Sequence, residues 1–319
     1  MTDSPEKRAH PAWREEVQTI AIAFGYFTRF PVPHGVGYSD ARLARSGRYF
    51  PLVGAVVGAL GALVFAIGSH FWPLSVALLL SMAATLLATG ALHEDGLADC
   101  CDAFGGAYRR ADVLRILKDS RIGVFGAVGL IVTLTLKWQA LLGLTIGGPG
   151  VVCAWMIIAH AASRAGAIVF TATLDYARSP VEAATGAANA NGAAEVESGG
   201  QPRSANDSHA AQAASSGDTI QDATSDAKAR PFQRNGGAGS RDTSTRDGVA
   251  IALLLGLPGL FWHGIGLGLV LIGAGAAVHW MLGRWWQRRI GGYTGDCLGL
   301  AQQLFEVGIY LVVLGWISS

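Results

Sequence analysis

The sequence predicts an all-α, polytopic membrane bundle of about six to seven transmembrane helices, and three observations predict it. Hydrophobic residues fill 51% of the 319 positions and charged residues only 15%, against roughly 25% charged in soluble domains. Several apolar stretches reach the roughly 20 residues that a helix needs to cross about 30 Å of hydrocarbon. Arginine and lysine gather in alternate connections, as in loops retained on the cytoplasmic side. The formal net charge of +1 gives no reason to expect nucleic acid as a partner.

Residues 1–16 form a polar tail carrying Lys7, Arg8, Arg14, Glu15 and Glu16. With no apolar core segment, no removable signal peptide is expected. The stretch Val17–Phe30 is apolar but too short to cross, and it predicts an interfacial helix ended by Pro31 and Pro33. Spans are expected at 49–71, 74–93, 123–146 and 149–173, as a pair within 247–283 hinged near His263–Gly264, and at 298–317. Gly54, Gly58 and Gly61, and the later Gly264, Gly266, Gly268, Gly273 and Gly275, permit close helix packing. Residues 179–246 are rich in Ala, Gly, Ser, Asn and Asp. Such a stretch buries too little apolar surface to offset its ordering entropy, so a disordered linker is expected between membrane halves 17–178 and 247–319.

Arg29, Arg42, Arg45 and Arg48 precede the first span, and Arg109, Arg110, Arg115, Lys118 and Arg121 follow the second. Arg178 follows the fourth, and Arg284, Arg288 and Arg289 follow the sixth. The opposite loops, at Trp72–Pro73, Gly147–Gly150 and His263–Gly264, carry none. The N-terminus is therefore expected inside and the C-terminus outside, with the motif-bearing loops on the cytoplasmic face of the bacterial inner membrane. Cys100, Cys101, Cys153 and Cys297 offer no CxxC pair, and a vicinal pair rarely closes a structural disulfide. Reduced thiols are expected.

The chemistry gathers in three patches. In His93-Glu94-Asp95-Gly96-Leu97-Ala98-Asp99-Cys100-Cys101-Asp102, three aspartates at i, i+4 and i+7 share one helical stripe. Clustered like charges repel unless a cation sits among them, and hard oxygen ligands suit Mg²⁺ or Mn²⁺, of which Mg²⁺ takes its remaining ligands from water and substrate phosphates. Phe104-Gly105-Gly106, Arg109, Arg110, Arg115 and Lys118-Asp119-Ser120-Arg121-Ile122-Gly123 follow. There the cations offer donors to phosphate oxygens, and the glycines let backbone amides approach an anion. The third patch, Gly291-Gly292-Tyr293-Thr294-Gly295-Asp296, opens the last helix. Its glycines can bring amides near a phosphate, and Asp296 can join the metal or hold a substrate hydroxyl. Lys137 and Arg164 lie within spans and should face the bundle interior and a partner, with snorkelling or an anion contact both open. His160 and His279 are expected as core polar contacts.

At these residues the sequence resembles the cobalamin synthase family, also called adenosylcobinamide-GDP ribazoletransferase. The resemblance rests on Phe27-Thr28-Arg29-Phe30-Pro31-Val32-Pro33, on Arg48 to Gly54, and on His93 to Asp99 with Asp102. It rests further on Lys118 to Gly123, Ser163-Arg164 with Tyr176-Ala177-Arg178, and Gly291 to Asp296. It covers about residues 17–178 and 247–319, and the linker is longer than the family's usual connection.

The resemblance implies the last step of nucleotide-loop assembly in cobalamin: the α-ribazole 5′-hydroxyl attacks adenosylcobinamide-GDP and GMP leaves, with Mg²⁺ as cofactor. On this reading Asp95, Asp99 and Asp102 bind the metal, Lys118 and Arg121 neutralise charge developing toward GMP, and Asp119 or Asp296 orients or deprotonates the nucleophile. Arg29, Arg48, His93, Gly105, Gly106, Ser120, Arg164, Gly292, Thr294 and Gly295 complete the expected substrate-binding set. Expected partners are the corrinoid nucleotide, α-ribazole and membrane lipid, with a homo-oligomer or other cobamide-assembly enzymes alongside. Two rivals stay open. A CDP-alcohol-type phosphotransferase would share the aspartate spacing, but lacks here the alanine-arginine that should follow its DG pair. A secondary transporter would share the glycine-broken helices, but should carry its carboxylates near the bilayer midplane.

Overall fold

The structure, a computed structural model, describes residues 12–32, 36, 40–177 and 243–319. Pro33, Arg178 and the expected linker up to residue 242 lie outside the described residues. All regular elements among the described residues are helical. In chain order they are α1 (Ala12–Phe27), α2 (Asp40–Ser46), α3 (Phe50–Gly68), α4 (Leu74–Thr89), α5 (Leu92–Gly106), α6 (Arg110–Ile116), α7 (Val124–Leu144), α8 (Pro149–Thr173), α9 (Thr243–Gly256), α10 (Ile265–Ile290) and α11 (Gly295–Ser318).

Among the described residues five segments are long and apolar enough to cross a membrane: Arg42–Gly68, Val124–Gly147, Pro149–Thr173, Ile265–Ile290 and Gly295–Ser318. The pair α4 and α5, bent by 89°, makes a sixth if it counts as one span. The count differs from the expected six to seven at two places. The stretch expected as one span at 74–93 stops at Thr89, because Gly90 and Ala91 both turn left-handed (φ 67° and 57°) and redirect the chain. Glycine takes that conformation freely, whereas the Cβ of Ala91 costs about 1–3 kcal/mol there. The pair expected within 247–283 is not two spans hinged at His263–Gly264. Its first member is the 14-residue α9, too short to cross alone, followed by a 3₁₀ turn at Pro258–Phe261, and α10 then runs unbroken to Ile290. This broken segment follows α8: Gly256 meets Ala161 and Ala165, Gly259 meets Ile158, and His263 lies against Trp155.

Close glycine packing holds the bundle where the sequence placed it in α3. A Cβ on Gly58 would stand 2.7 Å from the Met156 carbonyl oxygen, Gly54 presses on the His160 carbonyl, and Gly61 faces Ser81 and Thr85 of α4. Around Gly273 and Gly275 of α10 an added Cβ would meet no described residue within 4 Å. The two sequence halves are interleaved rather than separate, since α11 packs against α5, α7 and α8 of the first half. Alternating helix directions bring the starts of α3, α5, α7 and α11 and the ends of α8 and α10 to one end of the bundle. All four cysteines are free, as expected.

Candidate active site

The site forms at that end, where α5 lies across α11. Gly96 makes the crossing possible: a Cβ there would sit 2.8 Å from the Asp296 carbonyl oxygen, and Gly299 of α11 packs in return on the His93 carbonyl. Asp95, exposed, and Asp99, half-buried, therefore lie on the helix that touches the backbone of Asp296, itself half-buried. The buried thiols of Cys100 and Cys297 meet beside Asp99 and Asp296. The start of α11 is capped by Thr294, whose hydroxyl accepts from the Cys297 amide (3.4 Å) and donates to Asp296 Oδ2 (3.2 Å). Two of the three sequence patches thus converge.

The third joins them through Asp102. Its Oδ2 accepts from the Gly123 amide (2.7 Å) and its Oδ1 from the Gly126 amide (2.8 Å), so its carboxylate caps the start of α7. A carboxylate there satisfies orphan amides and favours the helix dipole. This placement draws the Lys118–Gly123 segment to α5, but it engages both Asp102 oxygens. Within the segment Arg121 grips Asp119 through Nε (2.9 Å) and Nη2 (2.7 Å), and both are solvent-accessible. The Arg121 hydrogen bonds hold the Asp119 carboxyl down to about 2. Lys118 and Ser120 are exposed in the same turn.

Other predicted residues have structural surroundings. Gly105 and Gly106 close α5 rather than open a helix, where free groups are carbonyls and not amides; Gly105 also packs on the Phe125 ring. We therefore leave both out of the anion-binding set. Gly292 is pressed on the Asp175 carbonyl, while Tyr293 donates its amide to Asp175 O (3.0 Å) and accepts from the Ala177 amide (2.9 Å). Gly295 begins α11. Arg110 ties the ends of α10 and α8 by donating to Ile290 O (2.9 Å) and Ala177 O (2.8 Å). Arg48 and the Tyr49 hydroxyl both donate to Glu16, tethering α1 and holding the Glu16 carboxyl below its ordinary range, the tyrosine bond first. His93 is buried and stacked on Phe27 (5.8 Å).

Lys137 and Arg164 do face the bundle interior, as expected, and they meet a network that the sequence reading missed. Glu306 of α11, fully buried, accepts from Lys137 Nζ, His160 Nε2 (3.2 Å), Gln302 Nε2 (2.6 Å) and the Tyr310 hydroxyl (3.3 Å). Arg164 donates to the His160 carbonyl (2.9 Å). Gln303 bridges this cluster to α5, donating to Gln302 Oε1 (2.8 Å) and to Glu94 Oε1 (2.9 Å). The signal was present as Gln302, Gln303 and Glu306 inside an otherwise apolar span, since intramembrane polar residues seek one another. His160 is a core contact as expected, and His279 stacks on Phe170 (4.0 Å).

No three His, Cys, Asp or Glu side chains among the described residues converge into a metal cage. Asp95 and Asp99 on one exposed stripe nevertheless fit Mg²⁺, which typically takes one or two carboxylates and completes its shell with substrate phosphates and water. The arrangement is a small acidic surface beside a short cationic turn at one end of a membrane bundle, suited to a substrate carrying a diphosphate.

Comparison with known proteins agrees with that chemistry. The chain is similar to adenosylcobinamide-GDP ribazoletransferase of Ralstonia nicotianae, 41% identical over 97% of this chain and 99% of the relative. The same-named protein of Ralstonia pickettii is 40% identical over 97% and 99%, and that of Shewanella oneidensis 36% over 95% and 96%. No solved structure matches. The family model described as cobalamin-5-phosphate synthase matches residues 19–198 and 225–314, and the chain belongs to that family.

Proposed function

We propose that the chain joins a ribazole unit to adenosylcobinamide-GDP with release of GMP, at the cytoplasmic face of the bacterial inner membrane. The observation that carries the site assignment is the crossing of α5 on α11, which sets Asp95 and Asp99 beside Asp296 while Asp102 tethers the Lys118–Arg121 turn. The face follows from the alternating basic loops. One detail of the sequence expectation changes. The family description names a cobalamin 5-phosphate as product, and an oxygen that carries a phosphate ester cannot also be the attacking hydroxyl. The nucleophile is thus another ribose hydroxyl, and the 5-phosphate enters with the ribazole half.

In the step, that hydroxyl oxygen bonds to the phosphorus attached to the cobinamide side, the bond to the GMP oxygen breaks, and GMP leaves with the electron pair. Asp95 and Asp99 hold Mg²⁺, which when bound neutralises diphosphate charge. Lys118 and Arg121 face charge growing on GMP. Asp296 orients the attacking hydroxyl and takes its proton, a modest demand in a loose phosphoryl-transfer transition state. Asp102 holds the cationic turn in place and is not a metal ligand. A second copy of the chain or other cobamide-assembly enzymes are the proposed partners at this membrane surface.

The test is incubation of the purified chain in lipid nanodiscs with adenosylcobinamide-GDP, ribazole 5′-phosphate and Mg²⁺, following GMP and the cobamide by chromatography. Turnover without any gradient is expected, which a transporter cannot give. Chelation of Mg²⁺ abolishes it, and Asp99→Asn lowers it at least about 100-fold. Near-normal turnover in correctly inserted Asp99→Asn removes Asp99 from the site.

A further inference from the structure

A cavity of about 580 Å³ opens between α1, the chain just after it, and the left-handed bend that joins α4 to α5. Ile22, Tyr26, Val32 and Leu92 give it an apolar wall, and Thr28 and Arg29 lie at its edge. Arg29 is fixed there by the bend: its amide donates to the Ala88 carbonyl (2.8 Å), and a Cβ on Gly90 would stand 2.6 Å from its Nε. Glycine at position 90 is favoured by its left-handed backbone angle, and the Arg29 side chain passes close over it. Other arginines of the bundle are engaged, Arg48 by Glu16, Arg110 by two carbonyls and Arg164 by His160. No hydrogen bond or ion pair joins the Arg29 guanidinium to another described residue. It presents five donors to the cavity mouth.

We propose that this cavity is the acceptor subsite, binding the ribazole nucleotide with its apolar base against Ile22, Val32 and Leu92 and its 5′-phosphate on Arg29. The assignment rests on the transferase reading above and adds where the second substrate sits. Three features select this occupant. The volume suits a ligand of nucleotide size, since such pockets run from about 300 to 1,000 Å³, and is too small for a corrinoid macrocycle carrying a nucleotide. A guanine base needs partners for several edge donors and acceptors, but the Thr28 and Thr89 hydroxyls both already donate to carbonyls of their own helices. A benzimidazole-type base asks only for apolar contact. Finally, Leu92 of the cavity wall and Asp95 of the acidic stripe are about one helical turn apart, roughly 5 Å along α5. A phosphate on Arg29 therefore leaves the ribose facing the stripe.

The experiment uses the full chain in phosphatidylcholine nanodiscs, with wild type, Arg29→Gln, Arg29→Lys and the cavity-filling Leu92→Trp. Each is titrated with ribazole 5′-phosphate and with unphosphorylated ribazole at saturating adenosylcobinamide-GDP, and then with the donor. In Arg29→Gln the preference for the phosphorylated acceptor, as a ratio of kcat/KM values, is expected to fall about 10- to 100-fold while donor KM stays within about two-fold. Arg29→Lys recovers part of the ratio, and Leu92→Trp raises KM for both acceptors. An equal loss with both acceptors in Arg29→Gln, or a rise confined to donor KM, overturns the assignment. Repeating the titration with phosphatidylglycerol separates a lipid phosphate on Arg29. If anionic lipid displaces the acceptor in wild type and Arg29→Gln abolishes only that lipid effect, the cavity is a lipid site and the proposal fails. Should wild type release no GMP at all, the transferase reading is what fails. Calorimetric binding of ribazole 5′-phosphate without donor then decides the subsite, supported by binding that Arg29→Gln abolishes and refuted by binding it leaves unchanged or by none.

Discussion

Asp102 shows how much of this site depends on what a single carboxylate touches. From spacing, it is the third member of a metal stripe; in the fold, its two oxygens accept the Gly123 and Gly126 amides at the head of α7. The two roles predict different outcomes. Asp102→Ala should cost about 1–2 kcal/mol, the usual loss for a helix cap, read as a lower melting temperature in detergent. Asp102→Asn, which keeps one strong acceptor, should fall between. The Mg²⁺ concentration for half-maximal turnover should rise in Asp99→Asn and stay near wild type in Asp102→Asn. A comparable rise in both variants would return Asp102 to the metal. Such a capping role is invisible in sequence because the amides it serves lie 21 and 24 residues downstream.

At the scale of elements, the decisive feature is the break at Gly90–Ala91. Hydropathy reads 74–93 as a continuous span, since an apolar run says nothing of its backbone direction. The 89° bend instead lays α5 across α11, turning the acidic motif toward the start of the last helix. Gly96 is where the two backbones meet. Gly96→Ala must push α5 away from Asp296, because its Cβ would face backbone rather than a movable side chain. The expected cost is about 1–3 kcal/mol of overpacking, with turnover reduced at least about 10-fold in protein that still inserts. Unchanged kcat in Gly96→Ala would show that the crossing does not set the spacing of Asp95, Asp99 and Asp296. The glycines of α3 were legible as packing residues, while Gly273 and Gly275 look the same in sequence and have no described residue close against them. Small residues permit an approach without specifying a partner.

Across the whole molecule, the polar network around Glu306 joins α5, α7, α8 and α11 through Glu94, Lys137, His160, Gln302 and Gln303. Lone charges inside spans are costly and seek partners, which made Lys137 and Arg164 recognisable. The partner of Lys137 could not be read, because Glu306 lies in the other half of the chain. Glu306→Gln should destabilise the bundle by about 3–5 kcal/mol by stranding Lys137. The double variant Lys137→Met with Glu306→Gln should recover at least half of that, measured as a double-mutant cycle of unfolding in detergent. Strictly additive losses would show that the two residues are not coupled.

The sequence by itself determined the membrane class, most of the spans, the shared end for the acidic and basic motifs, and the family. Each of these depends on composition, local period or short motifs, which one stretch of chain carries alone. Only the tertiary structure decided that α5 leaves the span, that Asp102 caps α7, that Glu306 answers Lys137, and that Arg29 stands at a cavity beside the bend. Those outcomes depend on which distant backbones approach closely, and long-range contact of that kind is set by packing rather than by any residue's own neighbours.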